Sequence, residues 1–545
     1  MRRWNGWGEA SVEMALPTSA KSLLVELLGP SAPLVDAKLA DVVARVPRSR
    51  LAGIDHALLE FDAETRVRHA RGQSLPDWLA LRSGEIGVFP DAVARPESGE
   101  QVRELLRLAV EHDFIVIPYG GGTSVAGHIT PARSKRPIVT LALTKMNRLL
   151  DLDEVSGVAS FGAGARGPEV EAQLRARGYT LGHFPQSWEL STLGGWVASR
   201  SSGQQSIRYG RIEQLFAGGR VETPAGPLDL PTFPASAAGP DLRELVLGSE
   251  GRLGVITEVR VRVSPLPDDE IFETLFLPDW TRAFECAREL ARRRIDLSML
   301  RLANPAETFT GLRLAVDEGQ LGWFERWLRL RGIGADKCML TLGYTGDHVA
   351  VGEARRQSRA ILKRYGAAAP MAGKLGRKWA HGRFRYPYLR EALWKLGYAV
   401  DTFETALDWS RVDGYIRDVE ARVGKALAAC DDNGGANRDE PVHVFTHLSH
   451  VYRQGSSAYT SYLFRVGEDY DTTLERWRRI KAVASQAVVD WGGTISHQHG
   501  VGRDHAPYLK AEKGELGLSA LATVFGRFDP DGRMNPGVLL PQDEP

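Results

Sequence analysis

The spacing of apolar residues along the chain predicts an alternation of helices and short strands. Apolar positions three and four residues apart predict a mainly helical segment from residue 19 to about residue 81. Between 96 and 113 the same spacing, opened by a capping-box signature at Ser98 and Gln101, predicts an amphipathic helix. The apolar run 114–117 that follows predicts a buried strand. A helix, a strand and a glycine-rich loop therefore follow one another.

Further along the chain, short apolar runs and helical stretches continue to alternate. The runs 138–143 and 157–161 predict strands, and 168–178 predicts a short helix that ends at a glycine. Longer helices are predicted in the second half of the chain, at 323–330 and 412–428. Alternation of this kind favours an α+β or α/β fold.

Changes in composition divide the chain into four predicted parts. The sequence SPLPDD, which begins at Ser264, is a boundary signal because two prolines close together interrupt both helix and strand. We expect an N-terminal helical segment at 1–85, a glycine-loop domain at 86–267 and a mixed second domain at 268–490. A C-terminal segment at 491–545 is expected to return to the glycine-loop domain.

The composition excludes several classes of protein. The 545 residues include 69 Lys and Arg against 68 Asp and Glu, so the chain has no general attraction to nucleic acid, and we expect no such partner. The cysteines Cys286, Cys338 and Cys430 are too widely spaced for a disulfide framework or a thiolate zinc site. No run reaches the roughly 18 apolar residues of a membrane span, and the N-terminus carries no export signal. We therefore expect a cytoplasmic protein.

Glycine is in excess, with 57 residues, and part of that excess lies in three loops. The first, PYGGGTS at 118–124, follows a predicted strand, and its bare backbone N–H groups and two hydroxyls suit a phosphate. Loops around 191–195 and 250–254 offer similar groups. Neither the Walker A pattern nor the Rossmann GxGxxG fingerprint is present. Three such loops favour a large cofactor with a pyrophosphate over three unrelated turns.

The same loops carry a family resemblance. IPYGGGTSV, ELSTLGGWVASRSSG and GSEGRLGVITE resemble the FAD-contacting segments of the vanillyl-alcohol-oxidase/PCMH flavoprotein superfamily. Within it, RWNGWGE, YLRE at 388–391, DTFETALDW at 401–409 and SHQHGVG at 496–502 are similar to the alkylglycerone-phosphate synthase family. The resemblance implies FAD as cofactor and an α+β fold. That fold has a PCMH-type FAD-binding domain of two subdomains and a C-terminal α+β substrate (cap) domain with an antiparallel sheet.

The resemblance also implies which residues contact FAD. They are Pro118, Tyr119, Gly120, Gly121, Gly122, Thr123, Ser124, Gln186, Ser187, Ser191, Thr192, Gly195, Ser199, Arg200, Ser201, Ser202, Glu250, Gly251, Arg252, Leu253, Gly254, Val255 and Ile256. Gln186 departs from the family, in which an Asp is usual at this position. We expect that change to alter one contact and to leave the site intact.

A flavoenzyme must orient its substrate, hold the substrate's anionic group and move protons. The resemblance assigns the anionic group to Arg390 in YLRE, proton transfer to Tyr459 in SHVYRQGSSAYTSYLF, and a second important arginine to Arg301. Without it, Arg390 would be interpreted as an exposed helix arginine and Tyr459 as a core residue of a strand. Proton transfer by Tyr459 is expected if neighbouring positive charge lowers its pKa.

Two histidines, His497 and His499, alternate in SHQHGVG, so on an extended stretch both would face one pocket and suit proton transfer near neutral pH. A metal site that includes His447 and His450 is a competing interpretation. No carboxylate or cysteine lies at a recognisable ligand spacing, so we expect no metal. Histidines held by backbone groups in a glycine turn are a third interpretation. The family has three consecutive histidines, whereas Gln498, which does not titrate, replaces the middle one.

Three functions remain open on the sequence alone. A synthase-like enzyme would exchange the acyl group of acyl-dihydroxyacetone phosphate for a fatty alcohol in ether-lipid synthesis, with Arg390 on the phosphate. The tail DPDGRMNPG at 529–537 resembles FAD-linked 2-hydroxyacid dehydrogenases or oxidases of the D-lactate and glycolate type, in which Arg390 would bind a carboxylate. Gln186 and Gln498 suggest a flavin-binding protein without turnover.

The expected partners follow from these functions. An enzyme of either kind would take a small-molecule or lipid-tailed anionic substrate, and we expect a homodimer. For a lipid-tailed substrate, the amphipathic stretch 323–330 would allow peripheral membrane contact, although core packing explains that stretch equally well.

Overall fold

Short helices and irregular stretches make up the N-terminal segment. The computed structural model describes residues 1–315, 318–369, 376, 382–428 and 440–541. The first elements are α1 (Ser19–Leu28), α2 (Leu39–Ala44), β1 (Leu59–Glu60), α3 (Ala63–Arg68) and α4 (Leu75–Ser83). The predicted mainly helical character is therefore only partly right, because the stretches 29–38 and 45–58 contain prolines and form no helix.

A four-stranded sheet carries the first glycine loop. Its elements are β1 and then β2 (Ala92–Ala94), α5 (Gly99–Glu111), β3 (Ile115–Tyr119) and β4 (Ile138–Ala142). The strand order is β1-β2-β4-β3, with β4 parallel to both β2 and β3. The helix and both strands predicted here are confirmed. The Ser98 hydroxyl caps α5 by accepting a hydrogen bond from the Gln101 N–H at 3.3 Å.

A five-stranded antiparallel sheet follows. The elements are β5 (Leu149–Asp153), β6 (Val158–Gly162), α6 (Gly167–Arg175), β7 (Tyr179–Thr180), α7 (Leu193–Ser199), α8 (Ser206–Tyr209), α9 (Ile212–Leu215), β8 (Phe216–Thr223), β9 (Gly226–Leu230), α10 (Arg243–Val246), β10 (Val255–Arg262) and β11 (Ser264–Pro265). The order is β5-β6-β10-β8-β9, and β7 pairs with β11. The strand predicted at 157–161 is β6, and the helix predicted at 168–178 is α6, which ends earlier, at Arg175.

The second half of the chain forms a six-stranded antiparallel sheet with helices. The elements are β12 (Asp269–Leu277), α11 (Trp280–Arg292), β13 (Met299–Ala303), α12 (Pro305–Ala315), α13 (Glu318–Arg329), β14 (Cys338–Gly346), α14 (His348–Arg364), α15 (Tyr386–Trp394), β15 (Tyr398–Asp408), α16 (Trp409–Gly424), β16 (His443–Val451) and β17 (Gly455–Arg465). The order β12-β14-β13-β16-β17-β15 confirms the predicted antiparallel sheet. The predicted helices lie in α13 and α16, which begin before the apolar runs that indicated them.

The end of the chain runs back to the first sheet. After α17 (Tyr470–Asp490) and α18 (Leu509–Phe528), the tail lies along β3. There the Val116 N–H donates to the Arg533 carbonyl at 2.9 Å, and the Asn535 N–H donates to the Val116 carbonyl at 3.0 Å. Cys286 and Cys338 are buried and free, whereas Cys430 lies outside the described residues. The tail thereby brings the segment with the histidines next to the glycine loops.

Candidate functional site

The first two glycine loops are packed against each other. A Cβ atom on Gly121 would lie 1.8 Å from the Leu190 carbonyl oxygen, and one on Gly120 would lie 2.3 Å from Thr192 Oγ1. Both distances are far shorter than any real contact, so only glycine allows the two loops to approach. The third loop joins them, because a Cβ on Gly251 would lie 3.1 Å from Pro118 of the first loop.

The free donors of this region are backbone N–H groups. The N–H groups of Gly121, Gly122 and Thr123 make no hydrogen bond with any described residue. The hydroxyls expected to help them are already engaged. Ser124 Oγ lies 2.5 Å from His128 Nδ1, and the Thr192 hydroxyl accepts a hydrogen bond from the Gly195 N–H at the start of α7. A cradle of bare N–H groups fits the pyrophosphate of FAD.

Glu250 in the third loop binds the C-terminal histidine segment. Its carboxylate accepts hydrogen bonds from the Val501 N–H at 2.6 Å and the Gly502 N–H at 2.7 Å. His128 Nε2 lies 3.2 Å from the same carboxylate. Although burial opposes charge on the ring, Glu250 raises the pKa of His128. Glu250 therefore connects loop one, loop three and the segment 496–502.

Most other residues predicted to contact FAD have side chains engaged within the protein. The Arg252 guanidinium donates to the Met534 carbonyl, Arg200 pairs with Glu244, and the Tyr119 hydroxyl donates to the Arg68 carbonyl. Among the serines, Ser191 Oγ donates to the Ser187 carbonyl, Ser199 Oγ donates to the Gly195 carbonyl, Ser201 Oγ lies near His183 Nε2, and Ser202 Oγ lies near His450 Nδ1. The side chains of Leu253, Val255 and Ile256 are buried. The side chain of Gln186 is exposed. The contacts of most of these residues with FAD therefore stay predictions. Because the side chains are engaged elsewhere, such contacts would be made largely by backbone atoms.

Arg301 lies in a buried cluster on neighbouring strands of the six-stranded sheet. Its guanidinium binds the Glu307 carboxylate, and Glu307 Oε2 also lies 2.8 Å from His447 Nδ1. Burial alone would raise the pKa of Glu307, but Arg301 and His447 together lower it to about 2. The His447 ring stacks on the Tyr459 ring with 4.9 Å between centroids. Arg301 is therefore connected to Tyr459 through the His447 ring, which contacts both.

Tyr459 and His499 are in contact. Their rings meet edge to face with 5.5 Å between the ring centroids. The Tyr459 hydroxyl donates a hydrogen bond to Thr402 Oγ1 at 3.1 Å. Glu404 Oε1 accepts the N–H groups of Gln498 and His499 at 2.6 and 2.7 Å, which fixes this end of the segment. Burial raises the pKa of Tyr459, so the expected lowering is wrong. Burial also lowers the pKa of His499, which favours its neutral, proton-accepting form.

His497 does not share the surroundings of His499. Residues 497–499 form bends rather than an extended strand, so the prediction that the two rings lie on one side of an extended stretch is wrong. The His497 ring stacks on His450 with 5.0 Å between centroids, and its Nε2 lies 2.5 Å from Arg211 and 2.6 Å from Tyr452. Among the described residues, no group of three or more His, Cys, Asp or Glu side chains is arranged to hold a metal ion.

Arg390 lies on α15 with a guanidinium that the protein only partly satisfies. Its Nη1 donates to the Gln73 carbonyl at 2.7 Å, and the guanidinium lies over the Trp78 ring at 4.4 Å. Its Nε and Nη2 atoms are buried and make no hydrogen bond with the described residues. Burial lowers the pKa of Arg390, with Asp401 opposing. A buried cation with two free donors is suited to an anionic ligand.

Sequence reasoning missed several members of the site. Glu307 and Trp78 carry no local motif, because each is brought to its arginine by the fold alone. Thr402 and Glu404 lie inside the motif DTFETALDW, and their alternation on β15 was the signal that could have found them. His447 was considered only as a metal ligand, although it stacks on Tyr459.

The chain matches two family models. The FAD binding domain model matches residues 90–228, and the model for the C-terminal domain of FAD linked oxidases matches residues 266–539. Within the part of the chain that the structure describes, none of the helices has the length and apolar character needed to cross a membrane.

Curated relatives share most of the chain. Alkyldihydroxyacetonephosphate synthase of Trypanosoma brucei brucei is 30% identical over 492 residues, which cover 89% of this chain and 78% of the relative. The synthase of Dictyostelium discoideum is 30% identical over 490 residues, with the same coverage. A glycolate oxidase subunit of Bacillus subtilis is 25% identical over 463 residues, or 84% of this chain and 90% of the relative.

Solved structures share the fold. An alkyldihydroxyacetonephosphate synthase structure superposes with a TM-score of 0.82 at 26% identity and covers 98% of each chain. A 4-ethylphenol oxidase from Gulosibacter chungangensis has a TM-score of 0.66 at 13% identity over 94% of this chain and 99% of that one, a likeness of fold alone.

Proposed function

The chain belongs to the alkyldihydroxyacetonephosphate synthase family of FAD-linked oxidases, and we propose that it catalyses the reaction of such a synthase. It is an FAD-dependent enzyme with an α+β fold. In the proposed reaction, a step of ether-lipid synthesis, acyl-dihydroxyacetone phosphate releases its acyl group as a fatty acid, and the alkoxy group of a fatty alcohol takes its place. The observation that carries the proposal is the buried Arg390 guanidinium, which has two donors without a protein partner.

We propose a role for each of the main side chains. Arg390 binds the substrate phosphate, because phosphate oxygens accept hydrogen bonds from both free guanidinium nitrogens. His499, held neutral by burial, accepts a proton, and the Tyr459 hydroxyl relays it from the substrate side without ionising, since burial raises the pKa of Tyr459. Arg301 and Glu307 position the His447 ring against Tyr459. FAD held by the glycine loops would supply a reversible hydride acceptor, which suits a reaction that needs no net oxidant.

The cradle for the cofactor is proposed to be the set of loops around Gly121, Thr192 and Gly251. Their close packing leaves bare N–H groups at 121–123, which is the support for this assignment. Buried residues such as Leu253 would position the loops and would not contact FAD directly. Gly121→Ala tests this cradle, as argued below.

A titration of the FAD-loaded enzyme under anaerobic conditions tests the function. Acyl-dihydroxyacetone phosphate should bleach the flavin's visible band, and addition of a fatty alcohol should restore it with formation of the alkyl product. Tyr459→Phe should keep FAD bound and slow bleaching by about 10² to 10⁴. Bleaching by a D-2-hydroxy acid with stoichiometric release of the keto acid would instead support the activity suggested by the glycolate oxidase relative.

For a lipid-tailed substrate we also propose peripheral membrane contact. Trp323 of α13 is 82% exposed and Leu330, the residue after the helix, is 81% exposed, and Arg326 is exposed between them. An exposed tryptophan beside arginine suits the interface of an anionic bilayer. Co-sedimentation with anionic vesicles should fall for Trp323→Ala. The homodimer and the cytoplasmic location stay predictions, and light scattering of the purified protein checks the first.

A further inference from the structure

Arg211 is the centre of a buried hydrogen-bond network. Neither the sequence motifs nor the proposed function assigns it a role. It precedes α9, and its Nε binds Glu213 at 2.6 Å. Its Nη1 lies 3.1 Å from the Tyr452 hydroxyl and 2.5 Å from His497 Nε2. Its Nη2 donates to the carbonyl oxygens of His497 at 2.8 Å and of Arg200 at 3.1 Å. The guanidinium thus holds both the ring and the backbone of His497.

These contacts determine where the His497 ring carries its proton. A guanidinium has five N–H donors and no acceptor, so His497 Nε2 must accept from Arg211. The Tyr452 hydroxyl, 2.6 Å from the same nitrogen, accepts from Arg211 and is a second donor to Nε2, so the two donors share its single lone pair. Nε2 therefore carries no hydrogen, and the single proton of the neutral ring is on Nδ1. That Nδ1 atom is buried and makes no hydrogen bond with the described residues.

The other groups around the ring also oppose a positive charge there. His450 stacks on His497 from the end of β16, and His499 follows in the same segment. Burial, Arg211, His450 and His499 all lower the pKa of His497. Two acidic side chains that act on the neighbouring Tyr452, Glu213 and Glu404, are already engaged. Glu213 binds Arg211, and Glu404 on β15 accepts the backbone N–H groups of the next two residues.

We propose that Arg211 and Tyr452 are positioning residues that hold His497 as a neutral imidazole, whose Nδ1–H donates a hydrogen bond to an oxygen of the bound FAD or substrate. His497 then transfers no proton in the reaction, and His499 is the histidine that does. The inference rests on the proposed function for the presence of a ligand oxygen. It assigns different roles to two histidines that the sequence pattern treats as equivalent.

A matched pair of variants tests the donor role. The amide nitrogen of Asn lies where Nδ1 lies in histidine and can donate the same hydrogen bond, whereas Leu has nearly the same shape and no donor. We expect His497→Asn to keep at least tenfold more kcat/KM than His497→Leu, with FAD bound in both. If His497 transferred a proton, both variants would lose the same about 10² to 10⁴ in rate, and that result overturns the proposal.

Two further readouts identify the acceptor and the role of Arg211. In His497→Leu without substrate, a shifted absorption band or reduction potential of the bound FAD assigns the acceptor to the flavin. A raised KM with an unshifted band assigns it to the substrate. An unchanged band together with unchanged kinetics overturns the proposal.

The positioning role has its own variants. Tyr452→Phe removes one of the two donors to Nε2, and Arg211→Lys keeps the positive charge but has fewer donors. Burial and the remaining charges keep His497 neutral in both, so we expect each variant to show part of the flavin-band shift or KM increase of His497→Leu, and each double variant with His497→Leu to show no further change beyond His497→Leu alone. Effects that add to those of His497→Leu in the double variant, or no effect in either single variant, contradict the role. If these spectral effects are observed but the enzyme does not catalyse the synthase reaction, only the proposed function is excluded.

Discussion

At the scale of the residue, the strongest prediction concerns Arg390. Arg390→Met removes the two unpaired donors of the buried guanidinium, so the substrate's anionic group loses charged hydrogen bonds of about 1.5 to 3 kcal/mol. We expect KM to rise by about 10- to 100-fold with FAD content unchanged. Steady-state kinetics with a phosphate-bearing substrate checks this. Arg417→Met, at an exposed arginine of α16, is the control and should leave KM unchanged.

A second prediction at this scale uses Glu420, a largely buried carboxyl beside Asn304 and Thr446. Burial raises its pKa to about 7. Between about pH 4.5 and 7 the folded protein keeps a proton that the unfolded chain has lost, so stability falls as the pH rises through this window. Glu420→Gln should therefore stabilise the protein by about 3 kcal/mol at pH 8 and have no effect below pH 4.

Thermal unfolding across this pH range measures the effect of Glu420. Glu475→Gln, at an exposed position of α17, is the matched control, because its side chain is 61% exposed. A stability difference between wild type and Glu420→Gln that does not change with pH would contradict the raised pKa.

At the scale of the element, the glycine loops depend on close backbone approach. Gly121→Ala places a methyl group 1.8 Å from the Leu190 carbonyl oxygen, so the first two loops must separate. We expect loss of bound FAD, measured from the ratio of visible to ultraviolet absorbance. Gly352→Ala on α14 meets no atom within 4 Å and should stabilise the helix by up to about 1 kcal/mol. Retention of FAD by Gly121→Ala would exclude these loops as its cradle.

Elements also differ in how well their sequence predicts them. The helix α5 and the strand β3 follow from apolar spacing and from the Ser98 cap, which are local signals. The segment 496–502 is different. Its alternating histidines suggested an extended stretch, but Glu404 and Glu250 bind its N–H groups from two sides and hold it in bends. Contacts distant in sequence therefore determine its shape.

At the scale of the whole molecule, Arg82 connects three parts of the chain. Its guanidinium binds Asp36 at 2.5 Å and also the Glu391 carboxylate, and Glu391 accepts the Trp7 N–H at 3.0 Å. The N-terminal segment thereby holds α15, which carries Arg390. Glu391→Gln leaves a buried arginine without its full charge pairing, and we expect a loss of about 3 kcal/mol in unfolding free energy.

Chemical denaturation measures the effect of Glu391→Gln, and a raised KM should accompany it because α15 moves with Arg390. Lys395→Gln is the control, since the Lys395–Glu13 pair is exposed and surface pairs contribute about 0 to 1 kcal/mol. Equal losses in the two variants would contradict a connecting role for the buried network.

The sequence by itself determined the local secondary structure and the cofactor of this protein. Apolar periodicity predicted the main helices and strands, and the glycine loops and motifs predicted FAD, because a turn that needs glycine or a cap that needs serine is encoded at one place in the chain. Only the tertiary structure decided which side chains meet. It paired Arg301 with Glu307 and His447, left two donors of Arg390 free, and gave His497 and His499 different partners. Burial and hydrogen bonding, which control charge and proton position, depend on residues from separate elements, such as Arg211 and His497, which are 286 positions apart.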